Sequence, residues 1–387
     1  MLQLNRRAVA LTLVLLLLAV LLLGSPSART SVAAMQMPPY LQAVTPSSIY
    51  VLVEDDSTNP VVVDYGLTTA YGMTATTEFT ATTTASPTTY VRNIKLTGLQ
   101  PGTLYHYRAS QGGSYSDDYT FTSASFSGIG FRFAWLADMR TGTSVNDQIA
   151  ARVLDANPLF SLYGGDLAKD GSYAALKSEF FRPNQLALIA RVPFFNAVGN
   201  HEWWCTNTQA FLEAPTSSSG TQAYYSFDYG DLHVLVINNI VSYAPGSAQY
   251  VFAQTDLAAT TRRWKIVISH YPAYCAGGNG EDADMKTMTS NIFEPNLVDV
   301  VVSGHSHFYQ HNMVNGIHHL VIGSAGAPLV IPQTASYVLK SVQDYNYAIT
   351  DVSPTSFTMV VYNNVGTVLD VVSLGHSIFL PFVEKAN

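Results

Sequence analysis

The sequence predicts an α+β chain of two units, an all-β sandwich followed by an α/β domain. Three observations carry this expectation. Residues 37–125 are rich in Thr, Tyr and Val and hold short alternating runs without a helical period. Between 128 and 372, apolar strand-like runs alternate with amphipathic stretches. The chain has 387 residues, about two to three times the length of a typical domain.

Composition narrows the class. Hydrophobic residues make 48% and charged residues 12%, too apolar and too weakly charged for a disordered chain. There are 27 Asp+Glu against 19 Lys+Arg, a formal charge of −8, and no basic cluster. Such a chain lacks the electrostatic footprint of a nucleic-acid binder, so no nucleic-acid partner is expected.

The first element is a leader. Arg6 and Arg7 precede an unbroken apolar run over 8–23, followed by Gly24-Ser25-Pro26-Ser27-Ala28. A basic start, a Leu-rich centre and a small-residue exit read as a signal peptide over 1–27, cut near 27 or 34. A retained anchor is the alternative, because the run approaches the lower length limit of a spanning helix. In both cases the bulk of the chain is secreted or extracytoplasmic, and a membrane is met only through an uncleaved N-terminus.

The sandwich follows over 37–125. Runs at 48–53, 61–65 and 104–108 read as strands separated by Gly, Pro and Asn turns. In the α/β unit, 128–372, the strand-like runs are 131–137, 159–163, 192–198, 264–269 and 300–303. The clearest helix is expected to start at Ser144 as N-cap, with Asp147 three residues on and Val145, Ile149, Val153 and Leu154 as its apolar face. Segments 224–229 and 232–237, joined by Gly230-Asp231, read as a hairpin. After Tyr345 the chain returns to strands, and 373–387 forms a tail with the apolar run Ile378-Phe379-Leu380-Pro381-Phe382.

The metal-competent residues fall at strand ends. Asp138 closes the run 131–137, and Asp166 follows Leu162-Tyr163-Gly164-Gly165. Asn200 and His201 sit in Gly199-Asn200-His201-Glu202, His270 closes 266–269, and His305 and His307 follow Val302-Ser303-Gly304. A single Gly-Asp or Ser-His is ordinarily a turn or a satisfied core group. Five strand ends in order, expected along one edge of one sheet, are not. Carboxylates and imidazoles suit Zn, Mn or Fe, and a shared Asp can bridge two such ions. No local Ser or Cys has a base arranged around it in sequence.

This order resembles the metallophosphoesterases, specifically the purple acid phosphatase-like branch with an N-terminal fibronectin type III-like domain. Leu99-Gln100-Pro101-Gly102-Thr103-Leu104-Tyr105 is similar to the fibronectin turn. Pro39-Tyr40-Leu41-Gln42, the segment 224–230, a counterpart of the family's Gln-x-x-Trp-Leu helix at 249–257, and Ile322-Gly323-Ser324-Ala325-Gly326 extend the resemblance over about 38–370. It implies an α/β/β/α domain with two packed mixed sheets flanked by helices. It also implies two divalent or trivalent transition-metal ions and a phosphoester substrate, and where the chain departs from the family's ligands one of the two ions is expected to be held weakly. The leading expectation is a phosphomonoesterase. A phosphodiesterase on nucleotides or lipid head groups, or a non-catalytic surface binding protein on a degenerate scaffold, are the alternatives.

Carried over by position, Asp166 bridges the ions, Asn200, His270 and His305 complete one site, and Asp138 with His307 serve the other. His201 faces the leaving group as general acid or as donor to the phosphoryl oxygens, and Glu202 orients an imidazole. The sequence departs from the family at two positions. The iron-binding tyrosine is replaced by Lys169, and the His of the first motif by Arg140. Both losses fall on the Asp138 site. Arg140 either clamps phosphate or pairs with a nearby carboxylate, and Lys169 either joins the pocket or is solvated. Tyr309 and Trp203-Trp204 flank the motifs as possible pocket walls. His311, His318 and His319 lie near the last loop but are not expected to ligate. The two cysteines, Cys205 and Cys275, lie shortly after the His201 and His270 motifs, and in an oxidising compartment a Cys205–Cys275 disulfide is expected.

Overall fold

Alternation builds the first unit. Ile49 opposes Leu96 and Val51 opposes Ile94 across antiparallel strands Ser48–Asp55 and Tyr90–Thr97, and all four side chains are buried. They pack on Val61, Val63, Tyr105 and Tyr107 of a facing sheet formed by Met73–Thr76, Val61–Gly66, Leu104–Gln111 and its partners. The Gln100 N–H donates to Tyr105 Oη at 2.9 Å, so the tyrosine ties down the turn that precedes its strand. The computed structural model describes residues 35–57 and 59–375; the expected leader and most of the 373–387 tail lie outside them.

The sandwich sheet does not end at the sandwich. Tyr40–Gln42 pairs in parallel with Phe194–Asn196, with Gln42 opposite Phe194. The resulting ten-stranded sheet runs Val368–Gly375, Ser356–Tyr362, Tyr347–Val352, Phe131–Leu136, Phe160–Tyr163, Phe194–Asn196, Tyr40–Gln42, Ser48–Asp55, Tyr90–Thr97, Phe79–Thr82. Side chains reinforce the junction. Buried Glu54 accepts hydrogen bonds from Thr89 Oγ1, Tyr173 Oη and Lys177 Nζ, each at 2.7 Å. Such charge-assisted bonds within a buried network cost far more to break than surface pairs.

A second sheet of seven strands runs Tyr225–Tyr229, Leu232–Val236, Trp264–Ser269, Val300–Ser303, Ile317–Ile322, Tyr309–Val314, Val338–Val342. Its first two strands form the expected hairpin, turning on Gly230 at a φ of +56°. The two sheets face each other across Phe133, Trp135 and Phe160 on one side and Tyr229, Val234, Ile266 and Leu320 on the other. Trp135 Nε1 donates to the Ile322 carbonyl at 2.9 Å, satisfying the one polar atom of a fully buried indole. Burying each such aromatic contributes about 2–3 kcal/mol.

Helices cover the outer faces. Ile149 and Val153 of Thr143–Asp155 and Ile189 of Pro183–Ile189 pack on Ala134, Leu136 and Tyr163. Ala253 and Leu257 of Ala248–Ala259 pack with Leu235, Val267 and Val301 on the other side. This is the expected α/β/β/α layering. The first helix differs in its cap. Gly142, not Ser144, is the N-cap, and no side chain caps it. A Cβ at Gly142 would overlap the Gly326 carbonyl, so close loop packing selects glycine there. Ser144 lies exposed in the first turn, and Asp147 instead pairs with Arg182 at 2.5 Å. No described helix is long and apolar enough to cross a membrane.

Candidate metal centre

The ligand-competent residues leave the carboxyl ends of both sheets, which corrects the single-edge expectation. Asp138, Asp166 and Asn200 follow the parallel strands Phe131–Leu136, Phe160–Tyr163 and Phe194–Asn196. His270, His305 and His307 follow Trp264–Ser269 and Val300–Ser303 of the second sheet. Strand-like runs mark strands without assigning them to a sheet, so the partition was not visible in sequence.

The loops are strained in the way functional turns are. Asp138, Asp166 and His305 have φ of +56°, +54° and +68°. A left-handed non-glycine residue costs about 1–3 kcal/mol and persists only where neighbours over-determine it. Here they do. The His305 N–H donates to Asp138 Oδ2 at 2.9 Å, and the His201 N–H donates to Asp166 Oδ1 at 3.0 Å. A Cβ at Gly199 would overlap Asp166 Oδ1, and one at Gly304 would overlap Asp138 Oδ2, so both glycines are required for loop approach.

Donor atoms then converge. His270 Nδ1–H donates to the Gly164 carbonyl at 2.8 Å, turning Nε2 toward Asn200 Oδ1 at 3.0 Å and Asp166 Oδ1 at 3.4 Å. The His305 ring lies 5.0 Å from that of His270. Burial, then the neighbouring His270, pushes His305 down to about 3, which leaves its ring neutral and able to ligate. Asp138, Asp166 and His270 offer ligand atoms all within 4.8 Å of one another. Burial alone would raise Asp166, but His270, His201 and Arg140 outweigh it and hold the carboxyl below its usual range. Electron-rich atoms facing each other at these distances call for a cation between them. The set Asp166, Asn200, His270 and His305 therefore fits one transition-metal ion.

The Asp138 side is different. His307 Nδ1–H donates to the Pro328 carbonyl at 2.8 Å, and its Nε2 lies 3.4 Å from Asp138 Oδ1. Asp138 Oδ1 is buried without a hydrogen-bond partner. Arg140 enters the same space, with Nε 3.4 Å from Asp166 Oδ2 and Nη2 3.4 Å from His307 Nε2. Lys169 is exposed and serves the site through its backbone, its carbonyl accepting from His201 Nδ1–H at 2.8 Å. His201 Nε2 then lies 3.7 Å from Asp166 Oδ2. These groups open on a cavity of about 210 Å³ lined by Arg140, Asp166, Asn200, His201, Asn279, His305, His307 and Val330.

Four expectations are corrected. Glu202 does not orient an imidazole: its Oε1 accepts the Asp166 N–H at 3.0 Å and the Gly199 N–H at 2.9 Å, holding backbone instead. Tyr309 is fully buried between the sheets and donates to Asp370 Oδ2 at 2.7 Å, so it is core and not pocket wall. Trp203 is exposed and Trp204 packs beside the Tyr224 cluster, and neither lines the cavity. Cys205 and Cys275 are free thiols. Cys205 Sγ faces the Gly171 carbonyl and Thr208, whereas Cys275 is buried against Phe308 and Val321, so the two side chains face different elements.

Sequence reasoning missed two positioning groups. Glu179 Oε2 accepts the Thr141 N–H at 3.0 Å and the Lys169 N–H at 2.9 Å, tying the first two ligand loops together. Asn279 Nδ2 donates to the His305 carbonyl at 2.7 Å. The run Gly277-Gly278-Asn279-Gly280 was the available signal for a tight loop there. His311 and His318 contact each other at 2.8 Å, with His311 on Asp370 at 3.0 Å, away from the cavity.

Comparison with known proteins agrees with this geometry. The description "Calcineurin-like phosphoesterase" matches residues 131–309, and "Purple acid Phosphatase, N-terminal domain" matches 40–123. The chain joins a calcineurin-like phosphoesterase domain to a purple acid phosphatase N-terminal domain. Purple acid phosphatase 21 of Arabidopsis thaliana is 28% identical over 239 residues, 57% of this chain and 53% of the relative. The match thus spans about half the length of that curated relative. Among solved structures, the purple acid phosphatase from yellow lupin seeds superposes with a TM-score of 0.76 at 18% identity, covering 88% of this chain and 74% of that one. PhoD superposes with a TM-score of 0.65 at 12% identity, covering 92% and 95%. At these identities the likeness to the two structures is one of fold.

Proposed function

We propose that this metallophosphoesterase is an exported, metal-dependent phosphomonoesterase. The observation that carries the reading is the convergence of Asp166, Asn200, His270 and His305 beside an open cavity that also presents His201 and Arg140. Those four residues would hold one transition-metal ion, which would supply charge neutralisation at the phosphoryl group and a more acidic bound water. The chain's own groups do the rest. Arg140 presents guanidinium N–H groups that orient phosphoryl oxygens. His201, fixed by its Nδ1–H bond to the Lys169 carbonyl, presents Nε2 to the cavity, where as imidazolium it gives a proton to the departing alkoxide. The cavity of about 210 Å³ has room for a phosphoryl group together with part of its alcohol, and the monoester preference rests on the similarity to purple acid phosphatases.

Export rests on the 1–27 leader with its cut near 27 or 34, and the units 37–125 and 128–372 are the corresponding proposal for domain organisation. The deciding assay is turnover of a monoester and diester panel by metal-reconstituted protein. Monoesters are expected to have the higher kcat/KM. Faster diester turnover would make the enzyme a phosphodiesterase, and full metal loading without hydrolysis would leave a binding scaffold.

A further inference from the structure

We infer that this chain binds a single metal ion per molecule, and that the Arg140 guanidinium is the fixed charge standing where its relatives' fold would place a second ion. The inference rests on the metallophosphoesterase reading and goes beyond it by disagreeing with a dinuclear site. His307 Nδ1–H is committed to the Pro328 carbonyl at 2.8 Å, so the Nε2 lone pair is the atom that faces the site. That lone pair meets Arg140 Nη2 at 3.4 Å. Asp166 Oδ2, the oxygen on this side of the shared carboxylate, meets Arg140 Nε at 3.4 Å. Two of the donors a second ion would need are thus turned toward one side chain that is always protonated.

The donors that remain are too few. Asp138 gives Oδ2 to the His305 N–H at 2.9 Å, leaving only Oδ1 for an ion. Lys169, at the position of the family's tyrosine, is exposed and sends only its carbonyl inward. No tyrosine is among the cavity-lining residues. A dication held by Asp138, Asp166 and His307 alone would also share a confined, partly buried space with a guanidinium, and like charges so close repel strongly. The opposite side has no such conflict, since Asn200 Oδ1, His270 Nε2 and Asp166 Oδ1 face one another directly. Arg140 therefore supplies permanently, and without dissociating, the positive charge that a second ion would lend to the phosphoryl oxygens.

The test is metal stoichiometry of the full protein. Wild type, Arg140→Ala and Arg140→His are equilibrated with excess manganese, freed of unbound ion by gel filtration and analysed for metal per chain, with the manganese spin-resonance spectrum as a second readout. Wild type is expected to hold one equivalent with the hyperfine pattern of an isolated ion. Arg140→His, which adds an imidazole where the charge is removed, is expected to hold two equivalents with exchange coupling, and Arg140→Ala more than one. Two equivalents in wild type with hydrolysis intact overturn this inference and leave the hydrolase reading standing. One equivalent in all three forms also overturns it, because something other than the guanidinium would then exclude the second ion. No bound metal in any form overturns the hydrolase reading together with it. Two equivalents in wild type overturn the inference even if a variant fails to fold, and either folded variant suffices to test the role of the guanidinium.

Discussion

The Asp166 N–H donates to Glu202 Oε1 at 3.0 Å, so a carboxylate from one ligand loop fixes the backbone of another. The same oxygen accepts the Gly199 N–H, while Glu202 Oε2 is buried without a partner. Burial, reinforced by Asp166, pushes the Glu202 carboxyl up to about 8, so it is largely neutral at pH 7. Glu202→Gln keeps the accepting oxygen and is expected to stay within about 1 kcal/mol of wild type. Glu202→Ala orphans two buried N–H groups and leaves a cavity, costing about 2–4 kcal/mol. Denaturant midpoints of the two variants check this, and equal losses would contradict it.

Asn200→Ala and His270→Ala each remove a donor from the better-formed site. Both are expected to lose tightly bound metal and to lower kcat/KM by more than about 100-fold, since even outer-sphere partners of metal ligands cost 10–100-fold. Metal analysis of the purified variants is the check, and retention of a full equivalent in His270→Ala would count against the ligand set.

The thiols are expected to titrate as two per chain in denaturant without reductant. In the native protein Cys275 should react slowly, because burial pushes its thiol up to about 11 and Phe308 and Val321 cover it. Absence of free thiols after denaturation would restore the disulfide expectation.

Iron-reconstituted protein is expected to show no tyrosinate charge-transfer colour. Lys169 stands at the tyrosine position, and no tyrosine is among the residues lining the cavity. A visible purple band would mean that another tyrosine reaches the ion.

Acid–base stability should carry the mark of Glu213. Burial raises its carboxyl from 4.5 to about 7. The folded state therefore binds a proton that the unfolded state releases between those values, and stability falls as pH rises from about 4.5 toward 7. Discounted for partial exposure, the loss is about 1–2 kcal/mol. Urea melts of wild type and Glu213→Gln across that range should converge at low pH and diverge at neutral pH; parallel curves would refute the assignment.

Much of the site was legible because each motif is local. A strand-like run ending in Gly-Asp or Gly-Asn-His carries its own geometry, so Asp138, Asp166, Asn200, His201, His270, His305 and His307 all arrive at one centre. Facing directions were less legible. Tyr309 follows the His307 motif by only two residues, yet strand alternation turns it toward Asp370 with His311. The cysteines were paired by count, by compartment and by their places just after the His201 and His270 motifs, none of which says where a side chain points. Glu179 was hidden because its role is to receive backbone N–H groups from distant loops, and no sequence pattern encodes that.

The strand Tyr40–Gln42 is only three residues long, yet it covers the flank of Phe194–Asn196, whose exit leads to Asn200. A chain shorn of its sandwich would carry that flank as a raw edge of unpaired N–H and C=O groups, the kind of template that recruits foreign strands. Trimming for crystallisation or display would therefore trade a support for an adhesive seam, beside the turn that delivers Asn200. Insertions belong instead at the far rim of the sandwich, where glycines such as Gly113 border open space.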